Sequence, residues 1–455
     1  MTERLVVVGG DAAGMTAASK ARRLKSPDEL EIVAFEKGHF TSYSACGIPY
    51  AVGGVVDSFD ELIVRRPETF RDDYSIEVRI RHEVTSIDTD ARDVTVRNLE
   101  DGTESKVGFD LLMFATGAKP IRPPLPGVDA RGIFGVQTLD DGTAIEKDLE
   151  ENKPQKAVVV GGGYIGLEMA EALVIRGLDV ALVDSGPQPM STLDPDMGDW
   201  IADKMRAMGI EVLTSERVTE FETSDDRVSA VVTESRTIPT DVVILGIGVR
   251  PHVDLARDAG IEIGDAGGVA VDHQMRTSVD NVWAAGDCAE KFHRVTHRPV
   301  VIALGTHANK EGRVAGINIG GGYATFPGVV GTAASKVCEL EVARTGLKEV
   351  EATEADFKYI TIVVDSTTRA GYFPGAGAIK TKLIVEVGSG RLLGAQIVGE
   401  EGAAKRIDVF ATALWNEMRV DEIMNMDLSY APPFAPVWDP VLIAARKAWE
   451  KIEAG

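Results

Sequence analysis

No apolar run in this chain approaches the ~20 residues that a membrane-spanning helix needs, so no membrane partner is expected. Cysteine is scarce too. Three cysteines in 455 residues, Cys46, Cys288 and Cys338, cannot form the disulfide framework of a small secreted protein, which fits a reducing compartment. Positive charge is outnumbered: a formal net charge of −23 disfavours non-specific binding to nucleic acid or to an anionic surface. The first residues enter an apolar run at once (Arg4-Leu-Val-Val-Val8), without the n-region, h-region and cleavage site of a secretory signal. A cytoplasmic location is expected, with no metal centre.

What is present is a duplication. A chain this long divides into roughly three domains. Val6-Val-Val-Gly-Gly-Asp-Ala-Ala-Gly14 is echoed by Val158-Val-Val-Gly-Gly-Gly-Tyr-Ile-Gly166. Each is an apolar strand, a glycine turn and a helix, predicted over Ala12–Lys25 and Tyr164–Arg176. Each is followed by a second β-rich run ending in an acid, Glu36 or Asp184. Alternating segments at Glu83–Arg97 and Arg217–Thr233 predict antiparallel strands inserted into each unit. Two small-residue segments, Phe109 to Pro120 and Thr240 to Pro251, mark where the chain leaves one unit for the other. The simplest account is an α/β fold with two Rossmann-like units, the second inserted into the first. Beyond residue 325, strands are predicted at Lys358–Asp365 and Leu383–Val387, and helices at Lys405–Arg419 and Val441–Ile452. Four prolines (Pro432, Pro433, Pro436 and Pro440) exclude regular helix or central strand between those helices.

The chemistry lies in the turns. Gly161, Gly163 and Gly166 complete G-x-G-x-x-G: one glycine for the tight turn, one for backbone approach to a pyrophosphate, one for helix–strand packing. The pyrophosphate meets the positive end of the helix. Asp184 is placed to accept from an adenosine ribose, and Ser185–Met190 offers no Lys or Arg to a 2′-phosphate, so NADH is favoured over NADPH. In the first turn Gly9 and Gly14 match, but Asp11 stands where the middle glycine belongs. Glu36 is placed to hold the other nucleotide's ribose, and Asp287, in Trp283-Ala-Ala-Gly-Asp287, a ribityl hydroxyl. Cys46 lies between the two fingerprints with no cysteine nearby, so any disulfide it makes is expected with a small molecule. A thiolate there is activated by positive potential such as a helix N-terminus or an electron-poor flavin.

These residues resemble the pyridine nucleotide–disulfide oxidoreductases. They are most similar to the single-cysteine branch, which holds coenzyme A disulfide reductases, NADH oxidases and persulfide or sulfur reductases. The resemblance rests on Gly9–Gly14, Cys46-Gly-Ile-Pro-Tyr50, Ala115-Thr116-Gly117, Gly161–Glu168, Ala285-Gly-Asp287, Phe326–Thr332 and Leu428–Phe434. It implies an FAD-binding domain over 1–118 and 252–325, an NAD(P)H-binding domain over 119–251, and an α+β domain over 326–455 that forms a homodimer. By resemblance, Tyr164 and Glu168 gate and orient the nicotinamide, and Ala115, Thr116 and Gly117 belong to the flavin site. Tyr430, and less closely Tyr372, match tyrosines that protonate a leaving thiolate across the dimer. Ser42, Lys20 and Arg23 resemble positions lining a coenzyme A site. Residues 405–455 contain no histidine, unlike two-cysteine relatives with their His–Glu pair. Ala45 replaces an Asn often found before the cysteine in dedicated coenzyme A disulfide reductases.

The expected cycle runs from NADH through FAD to Cys46 and on to a small-molecule disulfide, persulfide or polysulfide. Its rival is an NADH oxidase or peroxidase in which Cys46 cycles through a sulfenic acid, which needs a small, shielded site. A non-catalytic redox sensor is a third reading, opposed by the nearly complete reductive apparatus.

Overall fold

β-Branched runs ending in glycine turns produce two sheets of one design. The structure, a computed structural model, describes residues 2–454. From edge to edge the first sheet holds Val282–Ala284, Leu111–Phe114, Glu3–Val8, Leu30–Phe35 and Glu77–Arg79, all parallel. The second holds Glu211–Leu213, Asp179–Val183, Lys156–Val160, Val242–Leu245 and Ile133–Gly135, also all parallel. Strands covered on both faces need near-continuous apolar sequence, and Val6–Val8 and Val158–Val160 are accordingly buried. Each central strand feeds a glycine turn and a helix, Ala12–Arg22 and Tyr164–Ile175. The repeat in sequence is a repeat in fold. Each unit also carries an antiparallel three-stranded insert, His82–Gly108 and Val218–Pro239. The third strand of each, Glu104–Gly108 and Thr237–Pro239, lies outside the alternating segments read from sequence.

The chain crosses between the units twice, and the two crossings pair with each other. Ala118–Pro120 runs antiparallel to Val249–Pro251. The Thr116 hydroxyl donates to the His252 carbonyl (2.6 Å) and the His252 N–H to the Gly117 carbonyl (2.9 Å). One ribbon therefore carries both connections and holds the two glycine turns toward a common space.

The last third is an antiparallel sheet ordered Ala333–Val337, Leu340–Gly346, Leu392–Gly399, Ala378–Glu386, Tyr359–Thr367. Helices Ala403–Trp415 and Pro440–Glu453 share its apolar core. Two expectations are corrected here. The helix read as Lys405–Arg419 stops at Trp415, because Glu417 takes a left-handed φ of 54° just beyond it, a conformation that ends helices. A separate short helix then forms at Val420–Ile423. Pro440 does not exclude helix but opens one, in the first turn where its missing N–H is no loss, with the Asp439 carboxylate accepting from the Val441 N–H at 2.9 Å. Among the described residues, no helix is long and apolar enough to cross a membrane.

Candidate active site

Both glycine turns face one cavity of about 2080 Å³. Their glycines separate by role. A Cβ on Gly14 would overlap the Gly9 carbonyl, and one on Gly166 the Gly161 carbonyl, so these residues serve the packing of each helix on its own turn. Neither lines the cavity. Gly163 is different: the nearest protein atom to a Cβ there is the Gly246 oxygen at 3.7 Å. The protein itself has room for a side chain at Gly163, so the bare backbone serves something that approaches from the cavity. No side chain caps the first turn of either helix, Ala12–Arg22 or Tyr164–Ile175. Open N-termini of this kind suit a pyrophosphate, and the residues present fit two dinucleotides.

Three acids line the cavity, two of them at matching stations. The Glu36 carboxylate accepts from the N–H groups of Gly10 (2.8 Å) and Gly38 (2.7 Å). Asp184 accepts from Gly162 (2.5 Å) and Gly186 (2.6 Å). Asp287 accepts no hydrogen bond from the described residues, and burial pushes its carboxyl above the ordinary range, which leaves an acceptor free for a ligand hydroxyl. Its turn is braced from behind. Glu311 accepts from the Gly286 N–H (2.8 Å), and Lys291 donates to the Gly286 carbonyl (2.9 Å) and lies 3.5 Å from Glu311. Both charged side chains are fully buried. The sequence reading passed over this pair, because its members lie on different elements and no local pattern joins them.

Cys46 sits on a short turn, Ala45–Gly47, leading into helix Ile48–Val52, and its sulfur opens onto the cavity. Cys288 and Cys338 are buried, with thiols pushed up to about 11 by desolvation. The charged side chains around Cys46 are acidic. Burial first, then the Glu168 and Asp287 carboxylates, push its thiol above the ordinary value. Glu168 accepts from the Ser335 hydroxyl at 2.7 Å, which links the second helix to the C-terminal sheet. Tyr164 and the Ala115-Thr116-Gly117 segment also line the cavity.

Lys20, Arg23 and Ser42 line the same cavity as Cys46, and so do Arg65 and Arg313, which the sequence reading missed. Lys20, Arg23, Arg65 and Arg313 thus bring four basic groups to a cavity that Cys46 also lines. A further basic residue, outside the segment that the sequence reading considered, stands near the second nucleotide turn. The segment after Asp184 has no Lys or Arg, but the fold brings in Arg217, which lines the cavity beside a backbone bond from the Glu216 N–H to the Asp184 carbonyl (3.0 Å).

Tyr430 and Tyr372 are not in the cavity of their own chain. They lie exposed beside each other, with the Tyr430 phenol pushed up by desolvation and then by the Tyr372 hydroxyl. Phe434, Val437 and Trp438 are exposed nearby in sequence. The acidic group Asp194, Asp196 and Glu349 is closed by buried Lys382, 3.2 Å from Asp194 and 2.7 Å from Asp196. It is an ion-pair network tying the second unit to the C-terminal sheet.

Two nucleotide turns and one accessible sulfur around a common cavity define a dinucleotide-dependent redox protein. Comparison with known proteins identifies the family. The model for "Pyridine nucleotide-disulphide oxidoreductase" matches residues 3–312, and that for the family's dimerisation domain matches residues 332–440. The chain is 40% identical over 443 residues to the NAD(P)H sulfur oxidoreductase (CoA-dependent) of Pyrococcus abyssi, covering 97% of each. It is 38% identical over 454 residues to the NADH oxidase of Methanocaldococcus jannaschii, covering 99% of each. The solved NAD-dependent persulfide reductase from A. fulgidus superposes with a TM-score of 0.95 at 39% identity, over 99% of this chain and 84% of that one. This chain belongs to the pyridine nucleotide–disulphide oxidoreductases, a family that is FAD-dependent and uses NAD(P)H. Its C-terminal sheet is the family's dimerisation domain.

Proposed function

We propose that this chain is a homodimeric FAD enzyme that uses NADH to reduce a small-molecule disulfide, persulfide or polysulfide through Cys46. The observation that carries the reading is the placement of one accessible sulfur in a cavity shared by both nucleotide turns and lined by Lys20, Arg23, Arg65 and Arg313. Residues 1–118 and 252–325 form the FAD domain, 119–251 the NADH domain and 326–455 the dimerisation domain. Gly9, Glu36 and Asp287 hold FAD; Gly161, Gly163 and Asp184 hold the nicotinamide nucleotide. Bound there, FAD would supply the two-electron chemistry that links NADH to sulfur. The Cys46 thiolate attacks one sulfur of the substrate, expels the other as a thiolate and is left in a mixed disulfide. Two electrons then break that bond, returning the Cys46 thiolate and releasing the second thiolate. Each departing thiolate takes a proton, for which Tyr430 of the opposite subunit is the candidate donor. Lys20, Arg23, Arg65 and Arg313 suit the phosphates of coenzyme A, and Ser42 lines the same cavity.

An NADH oxidase or peroxidase is the second reading, favoured by the likeness to the archaeal NADH oxidase. It needs a small, shielded sulfur, whereas Lys20, Arg23, Arg65 and Arg313 in the lining of the same cavity suit a larger, anionic substrate. Mass spectrometry of the purified protein decides. A coenzyme A or persulfide adduct on Cys46, with anaerobic NADH turnover on coenzyme A disulfide or polysulfide, supports the main reading. Turnover on peroxide alone overturns it.

A further inference from the structure

Asp11 breaks the glycine pattern of the first turn, and the structure gives it a different task. It stands at the N-cap of helix Ala12–Arg22 in extended conformation, φ −114° and ψ −153°, yet its side chain does not cap the helix. An aspartate at an N-cap ordinarily accepts from the first-turn N–H groups. Here Oδ1 turns away and accepts from the Tyr43 N–H at 3.2 Å. The turn therefore binds the loop that leads to Cys46.

That loop is strained. Ser42 holds a left-handed φ of 50°, an uncommon state for a residue with a side chain. Such conformations persist only when their surroundings over-determine them. On one side, the Ser42 carbonyl accepts from Val64 (2.8 Å) and Arg65 (3.2 Å). On the other, the first turn holds three successive residues. The Thr41 hydroxyl donates to the Gly10 carbonyl, the Ser42 N–H donates to the same oxygen at 3.1 Å, and the Tyr43 N–H donates to Asp11. Of the three contacts made by the first turn, Asp11 supplies the one nearest Cys46 in sequence, and the Ser44 N–H, next along, donates to the Leu62 carbonyl at 2.8 Å. A glycine there, as the fingerprint prescribes, would leave Tyr43 N–H without this acceptor.

We infer that Asp11 is a positioning residue that holds the Ser42–Cys46 loop in its strained shape against the flavin-side turn. This rests on the proposed role of Cys46 and adds the element that fixes where its sulfur lies. Burial first, with the Glu36 and Asp287 carboxylates, raises the Asp11 carboxyl to about 7 against the lowering pull of the Tyr43 and Ala12 N–H groups. An amide in its place would keep the acceptor without the charge.

The test uses the FAD-loaded enzyme with Asp11→Asn, which retains an acceptor, and Asp11→Gly, which restores the glycine pattern and removes it. Amide hydrogen exchange at Tyr43 and alkylation of Cys46 by iodoacetamide report the loop; absorbance of bound flavin reports the cofactor. Asp11→Gly should raise Tyr43 exchange and change the Cys46 alkylation rate, each at least ~10-fold, with FAD still at one per chain. Asp11→Asn should restore both to within ~3-fold of wild type. Tyr43 exchange and Cys46 alkylation unchanged in Asp11→Gly would overturn the inference, as would loss of FAD from that variant with the loop still protected. The proposed reaction fails separately: if Cys46→Ser still reduces disulfides, the reaction is wrong, while the exchange result at Tyr43 stands or falls by itself.

Discussion

Glu36 and Asp184 hold the same station in the two halves of the duplication. Each carboxylate bridges the second residue of its glycine turn (Gly10 or Gly162) and the residue two beyond itself (Gly38 or Gly186). Both acids therefore fix their turns before any ribose arrives and present the same edge to the cavity. At Asp184 a 2′-phosphate would meet a carboxylate held in place by two N–H groups.

NADH should exceed NADPH in kcat/KM by about 1–3 kcal/mol, the range for a site that loses ribose hydroxyls and gains an uncompensated charge. If Arg217, which follows the residue bonded to the Asp184 carbonyl, offsets part of that penalty, Arg217→Ala should widen the preference from the NADPH side. Asp184→Ala should narrow it while lowering the NADH efficiency, because its turn loses both anchors. Steady-state kinetics with the two cofactors checks this; equal efficiencies in the wild type would refute it.

Cys46→Ser should retain FAD and its reduction by NADH, while disulfide turnover falls by several orders of magnitude. Cys288→Ser and Cys338→Ser should change turnover little, since both sulfurs are buried. The protein's own groups raise the Cys46 thiol, through burial and then Glu168 and Asp287. Glu168→Gln removes one of those charges. It should move the pH at which Cys46 alkylation reaches half its maximum downward, because the thiolate then forms at lower pH.

Much of this site was legible in the sequence because it is built from local signals. A glycine turn between a strand and a helix announces itself within a dozen residues, and the acids at 36 and 184 close each second strand. Side chains contributed by other elements were not legible. Arg217, Arg313 and Ser335 reach the cavity from segments with no motif of their own. Lys291 and Glu311 meet only when a helix packs behind the Asp287 turn. The ends of helices were misjudged where a single backbone angle decides, as at Glu417, or where proline is used at a helix start, as at Pro440. Charge at Cys46 could not be read from its neighbours in sequence, because Glu168 and Asp287 come from elsewhere.

Lys291 and Glu311 give a prediction about the turn they brace. Removing one partner of a buried pair strands the other charge and costs about 3–5 kcal/mol. Lys291→Met should lower Tm and release FAD, because the Gly286 carbonyl loses its donor and Asp287 its fixed position. Lys291→Met with Glu311→Gln should recover part of the stability. Thermal melts followed by flavin fluorescence would show both effects, and a single variant as stable as wild type would refute the bracing role.

His293 predicts loss of stability in acid. It is buried, its Nδ1 accepts from the N–H groups of Val295 (3.3 Å) and Thr296 (3.4 Å), and burial lowers its pKa to about 4. The unfolded chain takes up this proton near pH 6.5, the folded protein only near 4. Stability therefore falls as pH drops from about 6.5 to 4 and the loss levels off below that, amounting to about 3 kcal/mol at this site. Asp11 and Glu311, raised to about 7 and about 6, act in the opposite sense, so the difference between variants is the clean measure. His293→Asn, with an acceptor that does not titrate, should lose less Tm between pH 7 and pH 5 than wild type. An equal loss would exclude His293 as the cause.

Tyr430 lies outside the cavity of its own chain, so any part in the chemistry of Cys46 must be played across the dimer. Its surroundings suit that task. Pro432, Pro433 and Pro436 limit the freedom lost on ordering, and the Ala370 N–H donates to the Pro432 carbonyl at 3.2 Å, tying this segment to the one that carries Tyr372. Residues 405–455 contain no histidine, which leaves a phenol as the acid available in this region. Tyr430→Phe keeps the ring and removes the proton. It should leave the dimer and the reduction of FAD by NADH intact and lower disulfide turnover by ~10²-fold, the usual scale for a lost general acid. Tyr372→Phe should lower it less if the Tyr372 hydroxyl acts only through the neighbouring Tyr430 phenol. A role in packing alone predicts the reverse pattern: Tyr430→Phe with wild-type turnover, and Tyr430→Ala with a dimer that dissociates at lower protein concentration. Kinetics and sedimentation on these variants separate the two.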